Sequence, residues 1–239
     1  MHSDTAIIIP TYNEEENIKN LSLKINKLLP KITIYIIDDS KNNHTKNQIP
    51  KKKNIIYLKR KNKSGRGSAV LDGLKKAIKL KRFKVFIEMD ADFSHDPNEL
   101  KKKIIYFKKN KLDLLISSRY LKKSKIINWD FSRKILSFFA NVLAKLILKV
   151  PVTDYTNGFR FYSKSAAKTV ISKCNKTGGG FIILSEIILI LWKKNFKISE
   201  IKSIFKNRTR GESSVNLKLI IESLIGLCKL YLIKKSSKI

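Results

Sequence analysis

Residues 5 to 38 read TAIIIPTYNEEENIKNLSLKINKLLPKITIYIID: a short apolar run at 5 to 9, a polar cluster from Pro10 to Glu16, an amphipathic stretch, and a second apolar run at 33 to 38 closed by an acid. Short apolar runs rich in Ile and Thr predict buried strands, and the stretch between them predicts a helix over about 14 to 29. The same alternation continues outward. Strands are predicted at 54 to 58, 84 to 89 and 112 to 117, with helices at about 67 to 81 and 96 to 110. A β-α-β-α series predicts an α/β fold with a mainly parallel sheet, helices on both faces and ligands at the carboxyl ends of the strands. Polar clusters stand at three of those ends: Pro10 to Glu16, Asp38 to Thr45 and Asp90 to Pro97.

The chain has 239 residues, 43% of them apolar, which is enough to fill a core and excludes disorder as the dominant state. Cys174 and Cys228 are too few for a disulfide framework or a thiolate metal site, and a reducing compartment fits. Met1-His2-Ser3-Asp4 leads straight into the first apolar run without the pattern of a secretory signal, so a cytoplasmic location is expected. The net charge of +32 is carried by 43 lysines and only 8 arginines. Lysine is spread through almost every segment and reads as solvated surface. Each arginine in so lysine-biased a chain is instead a candidate for a site that needs a planar, bidentate fork: Arg60, Arg66, Arg82, Arg119, Arg133, Arg160, Arg208 and Arg210.

Beyond residue 125 the pattern turns to helices with broad apolar faces. Over 131 to 149, Lys134, Ser137, Asn141 and Lys145 share one stripe, and over 215 to 233 Lys218, Glu222 and Lys229 form a narrower one. Neither stretch is free enough of charge for a membrane span, and 181 to 192 is short and interrupted by Glu186. Two readings stand: core helices, or helices lying in a bilayer interface with Leu224 and Leu227 toward lipid.

Asp90 and Asp92 close the fourth predicted strand as DAD, where the period of two points both carboxylates the same way. Such a pair holds Mg²⁺ or Mn²⁺ while leaving positions for phosphate oxygens. Asp38 and Asp39 end the second strand, where a carboxylate can accept hydrogen bonds from a base or ribose. These acids also argue against the rival from another class, a basic nucleic-acid-binding domain, because without metal they repel phosphate.

With their surroundings, the pieces resemble one family. IPTYNEEENI (9 to 18), DDS (38 to 40), SGRGSAVLDGL (64 to 74), DADFSHDP (90 to 97), SSRY (117 to 120), NWDFSRKILSFFAN (128 to 141), DYTNGFRFY (154 to 162) and NRTRGESS (207 to 214) follow, in order, the family 2 glycosyltransferases of the dolichol-phosphate mannose synthase type. The resemblance implies a GT-A domain over 1–212, with 213–239 as a C-terminal amphipathic helix. It implies a nucleotide-sugar donor, typically GDP-mannose, and a polyprenyl phosphate acceptor at the cytoplasmic face of an anionic membrane. The alternative within the class is glucosyl or N-acetylglucosaminyl transfer from a UDP-sugar, and nucleic acid is not an expected partner. Carried over by motif, Pro10, Tyr12, Glu14 and Asp39 hold base and ribose; Asp90 and Asp92 hold Mg²⁺ or Mn²⁺; Arg119, Arg133 and Ser137 face the acceptor phosphate; and Arg208, helped by Arg210, faces donor phosphate. Asp92, Arg119, Arg133 and Ser137 are then the catalytic group.

The chain departs from the pattern in two places. A usual Ser-Pro-Asp-Gly-Thr turn is replaced by Lys41-Asn42-Asn43-His44-Thr45 after Ser40, and a late Gly-x-Ser-Lys becomes Gly211-Glu212-Ser213-Ser214, with Arg210 offered as the substitute charge. Some relatives carry C-terminal membrane spans; here none is expected, which makes a small membrane-anchoring subunit a further candidate partner.

Overall fold

The computed structural model describes residues 2–61, 65–174, 182–207 and 217–235. The chain begins β1 (Thr5–Thr11), α1 (Ile18–Leu28), β2 (Thr33–Asp38), α2 (His44–Asn47), β3 (Ile55–Lys59), α3 (Arg66–Ile78) and β4 (Val85–Glu88). A 3-10 turn at Pro97–Glu99 leads into α4 (Leu100–Lys109), followed by β5 (Leu114–Ser118), β6 (Lys125–Ile127) and α5 (Phe131–Leu148). The remainder is β7 (Arg160–Ser163), α6 (Lys164–Lys173), α7 (Ile182–Lys193), β8 (Ile198–Lys202), β9 (Ile204–Lys206) and α8 (Leu217–Lys235).

Seven strands form one sheet in the order β3-β2-β1-β4-β7-β5-β8, and β6 pairs with β9 in a second, two-stranded sheet. The main sheet is largely parallel, as the alternation predicts. Among the described strands of this sheet, only β7 runs against its neighbours, β4 and β5. The order reverses beside β1, whose neighbours β2 and β4 are both parallel to it, and a crevice for ligands opens at such a switch point.

Alternate residues of β1 enter different cores, which is how the sheet comes to be covered twice. Ala6 and Ile8 join Leu74 and Ala77 of α3, Ala166 of α6 and Ile188 of α7. Ile7 and Ile9 join Leu21 and Ile25 of α1 and Ile104 of α4. Each fully buried Ile contributes roughly 1.5–3 kcal/mol of transfer free energy. The approach of α3 is close enough to require Gly73: a Cβ there would lie 2.5 Å from Ile8 Cγ2.

The first helix starts at Ile18 rather than near residue 14. Asn13 has a left-handed φ of 54°, which interrupts helical geometry, and Glu14 closes a turn instead by accepting the main-chain N–H groups of Asn17 and Ile18.

The two late helices divide differently from either prediction. On α5 the buried residues are Asn141, Ala144 and Leu148, whereas Phe131, Phe139 and Leu146 are 77%, 62% and 67% exposed. Half of the expected polar stripe therefore points inward, and the apolar face points out. On α8, Leu227 and Leu230 belong to the core and Leu224 and Leu232 are exposed, so Leu227 is not an outward residue. A close crossing with α7 fixes this orientation, since a Cβ at Gly226 would lie 2.6 Å from Ile182 Cγ1. No helix among the described residues is long and apolar enough to cross a membrane.

Candidate active site

The carboxyl ends of β1 and β2 form one rim of the crevice. Their register places Pro10 beside Ile37 and Thr11 beside Asp38, and the Asp39 N–H donates to the Thr11 carbonyl at 3.0 Å. The Asn13 N–H donates to Ser40 Oγ at 2.8 Å and the Glu14 N–H to Thr45 Oγ1 at 3.1 Å. Pro10, Tyr12, Glu14 and Asp39 are thus brought onto neighbouring loops, with the Tyr12 ring exposed. The Lys41–Thr45 segment that departs from the family turn leads into the short α2, and its Thr45 is the buried residue that ties the two loops.

The two acids of this rim are held differently. Asp38 is fully buried; it accepts from Tyr57 Oη at 2.7 Å, Ser40 Oγ at 2.6 Å and Thr11 Oγ1 at 3.1 Å, which makes it a scaffold. Burial, with the Asp38 carboxylate next, pushes the Tyr57 phenol well above its ordinary pKa and keeps it a donor. Both Asp39 oxygens accept from Arg60 Nη1, at 2.9 and 3.0 Å, and Arg60 also donates to Ser68 and pairs with Asp72.

Beyond the end of β4, Asp90 and Asp92 sit on the turn that runs to Pro97. Asp92 caps it by accepting the Ser94 N–H at 3.0 Å. Asp90 is oriented from behind: its N–H donates to His95 Nδ1 at 3.1 Å, while Nε2, 3.0 Å from Asn157 Oδ1, carries the ring proton. Asn157 donates onward to the Ser117 carbonyl. His95 is fully buried, stacked on Phe159 at 4.9 Å, and burial holds its pKa below the ordinary value. Both ring nitrogens are therefore engaged, and the ligands on offer are carboxylate oxygens. That hard donor set fits Mg²⁺ or Mn²⁺. Among the described residues no group of three or more His, Cys, Asp or Glu forms a closed cage, so an ion here would complete its shell with water and substrate oxygens.

The opposite rim comes from β5, α5 and the loop before β7. Arg119 makes a bidentate pair with buried Asp154, 2.8 Å from each oxygen, and donates to Thr156 Oγ1 at 2.6 Å. Burial opposes its charge, but Asp154 more than offsets this, with Asp90 adding to the effect, and the guanidinium pKa is raised. Asp90 is thus an electrostatic neighbour of the arginine rim. Ser137 Oγ accepts from Tyr120 Oη at 2.7 Å, and Asn141, one turn on, bridges Thr156 Oγ1 and the Tyr155 N–H. Arg133 donates to Asn207 at 3.0 Å and lies 4.3 Å above the Trp129 ring, with Arg119 5.4 Å from the same ring. Trp129 Nε1 is buried and has no hydrogen-bond partner among the described residues. Arg208 and Arg210 lie outside the described residues.

The family model for glycosyl transferase family 2 matches residues 6–171, a span that holds both rims and the DAD turn. The chain belongs to glycosyl transferase family 2. It is 34% identical over 232 residues to a Pyrococcus furiosus protein named dolichol-phosphate mannosyltransferase, covering 94% of this chain and 63% of that one. It is 29% identical to a Mycolicibacterium smegmatis protein named polyprenol monophosphomannose synthase, covering 94% of this chain and 86% of that one. In three dimensions it resembles the crystal structure of a mycobacterial protein at a TM-score of 0.67 and 11% identity, covering 96% of this chain and 74% of that one. The Mycobacterium tuberculosis glucosyl-3-phosphoglycerate synthase, in complex with Mn²⁺, UDP and phosphoglyceric acid, superposes at 0.65 and 12%, covering 96% and 78%.

In this family 2 glycosyltransferase the arrangement separates an acidic turn from an arginine-rich rim across one crevice. Arg66, Arg60, His95, Trp129, Asp154 and Asn157 were missing from the expected site. Only arginine scarcity marks Arg60, whereas the other five stand inside quoted motifs. What they do depends on partners far away in sequence. Arg160 is fully buried and donates to the main-chain carbonyls of Tyr155, Asn157 and Leu184, so its fork serves the fold.

Proposed function

We propose that the protein transfers mannose from GDP-mannose to a polyprenyl phosphate, with inversion at the anomeric carbon, at the surface of an anionic membrane facing the cytoplasm. The observation that carries this reading is the placement of Arg119, Arg133 and Ser137 at the root of α5, whose apolar side chains point away from the core. An acceptor with a phosphate head and an apolar tail suits such a junction. The names of the two relatives support the same substrate class.

A phosphate monoester has a second pKa near 6, so at pH 7 its oxygen is already an anionic nucleophile and needs no protein base. The barrier then lies in bringing anions together. Arg133, on the first turn of α5, meets the acceptor where the helix dipole also favours negative charge. Arg119, fixed by Asp154, and the Ser137 hydroxyl, fixed by Tyr120, complete the anion site, and the Trp129 N–H, without a partner among the described residues, is a further donor for it. Pro10, Tyr12, Glu14 and Asp39 position the nucleotide, with Arg208 and Arg210 reserved for donor phosphate. Asp90 and Asp92 would hold Mg²⁺ or Mn²⁺, which supplies charge stabilisation to the departing diphosphate. In-line attack from the opposite rim inverts the sugar carbon.

Turnover with a panel of GDP- and UDP-sugars and a short polyprenyl phosphate tests the reading. GDP-mannose should be the preferred donor. Preference for a UDP-sugar would move the assignment to glucosyl or N-acetylglucosaminyl transfer, and no product on any polyprenyl phosphate would overturn it.

A further inference from the structure

Arg66 is one of the scarce arginines that this mechanism leaves without a role. It opens α3 directly after Gly65, whose φ of 84° turns the chain toward β4. A cation at a helix N-terminus is unfavourably placed with respect to the dipole, so helix stability does not explain it. Its partners do. Nε and Nη2 both lie 2.7 Å from Asp90 Oδ1, and Nη1 donates to Glu88.

These two acids differ in kind. Glu88 is 1% exposed and accepts also from Tyr162 Oη at 2.6 Å, so it needs a fixed counter-charge inside the protein. Asp90 is 30% exposed, on the crevice side, and is one of the two carboxylates proposed for the metal. The glycine of the NGF sequence at 157 to 159 makes room for the guanidinium: a Cβ at Gly158 would fall 1.9 Å from Arg66 Nη2. Arg66 is therefore anchored by one buried acid while occupying an oxygen of the other. Burial opposes its charge, but Asp90 and Glu88 outweigh that and hold it firmly protonated.

We propose that Arg66 is a tethered counter-cation for Asp90, which a divalent ion must displace, and that a nucleoside diphosphate promotes the exchange by offering the guanidinium another anion. The proposal rests on the reading of Asp90 and Asp92 as metal carboxylates. Two cations sharing one carboxylate oxygen repel strongly at a partly desolvated site, so metal and guanidinium compete. A diphosphate matches the planar fork and removes the competitor. Metal and nucleotide then bind with positive coupling, each favouring the other by the same factor. In the ligand-free protein the arrangement keeps the acidic turn neutralised and ordered.

The test is Mn²⁺ binding to the full chain, followed by the electron paramagnetic resonance of free Mn²⁺, with and without GDP or UDP and corrected for Mn²⁺ held by free nucleotide. The wild type should bind Mn²⁺ weakly alone and on the order of tenfold more tightly with nucleotide. The double variant Arg66→Met/Glu88→Gln removes both charges of the buried pair; it should bind Mn²⁺ alone about tenfold more tightly than wild type and lose most of the nucleotide effect. Gly158→Ala keeps every charge but expels the guanidinium, so it should move in the same direction and decides the matter if the double variant does not fold. Wild-type Mn²⁺ affinity in both folded variants, with binding abolished by Asp92→Asn, overturns the counter-cation and leaves the metal reading standing. Binding unaltered by Asp92→Asn, or no Mn²⁺ uptake by wild type even with nucleotide, overturns the metal reading and the proposal with it.

Discussion

Arg119 and Arg133 share the Trp129 ring yet are held in different ways. Arg119 has its fork filled by Asp154 inside the protein, whereas Arg133 donates to Asn207 and is half-buried. Arg133→Lys keeps the charge but loses the planar fork. Turnover is expected to fall on the order of a hundredfold, about 2.7 kcal/mol, with nucleotide affinity unchanged. Steady-state kinetics beside nucleotide titration checks this, and an unaltered rate would leave Arg133 a structural role through Asn207 and Trp129. The Asp154 pair is a matter of stability. Burial works to raise the Asp154 pKa, but Arg119 and main-chain donors outweigh it and hold the carboxyl below its ordinary range. Asp154→Asn leaves a buried guanidinium uncompensated and should cost about 3–5 kcal/mol in urea unfolding near neutral pH. A depressed carboxyl pKa stabilises the fold above the unfolded value, near 4, and that contribution is lost as pH falls through the folded value. The gap between wild type and variant should therefore narrow below about pH 4; a gap that stays constant to lower pH would mean that the ion pair is not its source.

At the scale of elements, α5 carries site residues on one face and an unburied apolar surface on the other, and α8 sets a core face against a similar outward one. Asn141 and Ser137 of α5 look inward to Thr156 and Tyr120, and the phenylalanines look out. Apolar side chains this exposed are suited to a lipid surface. Leu146→Glu with Leu232→Glu should leave the unfolding midpoint unchanged and release the protein from anionic liposomes in co-sedimentation. Leu227→Glu should do the opposite: it buries a charge in the core formed with α7 and lowers stability by several kcal/mol. Equal liposome binding by the outward double variant would show that lipid does not meet this face.

For the molecule as a whole, the net charge of +32 is a long-range term added to these local ones. Lysines near a membrane are attracted by about 1 kcal/mol each to anionic lipid, and salt screens that attraction beyond about 10 Å at 0.1 M. Binding to anionic vesicles should weaken in part as salt rises, with a residual fraction held by the apolar face. Complete release at high salt would mean that charge alone attaches the protein. Three acids of the site carry an arginine partner of their own: Asp39 has Arg60, Asp90 has Arg66 and Asp154 has Arg119.

The alternation from β1 to β5, the double covering of the sheet and the acids at strand ends are all legible along the chain, because each depends on residues close in sequence. Ile7, Ile8 and Ile9 announce a strand buried on both faces whatever they pack against. The ordered motifs carry the family for a similar reason, since each is a short local string. β7 was not legible: four residues, RFYS, embedded in a polar stretch show no period, and its reversed direction comes from the long path through α5. The pairing of scarce arginines with particular acids was not legible either. Arg66 meets Asp90 across 24 positions and Arg119 meets Asp154 across 35, so only the docking of α3 on β1 and β2, and of the loop before β7 beside β5, determined which carboxylates are shared, which are scaffold and which face the crevice. Composition could say that eight arginines mattered. Which ones turn outward toward a ligand and which inward toward the fold is decided by burial, because a guanidinium in the interior must find its counter-charge or carbonyls there, and tertiary packing alone supplies them.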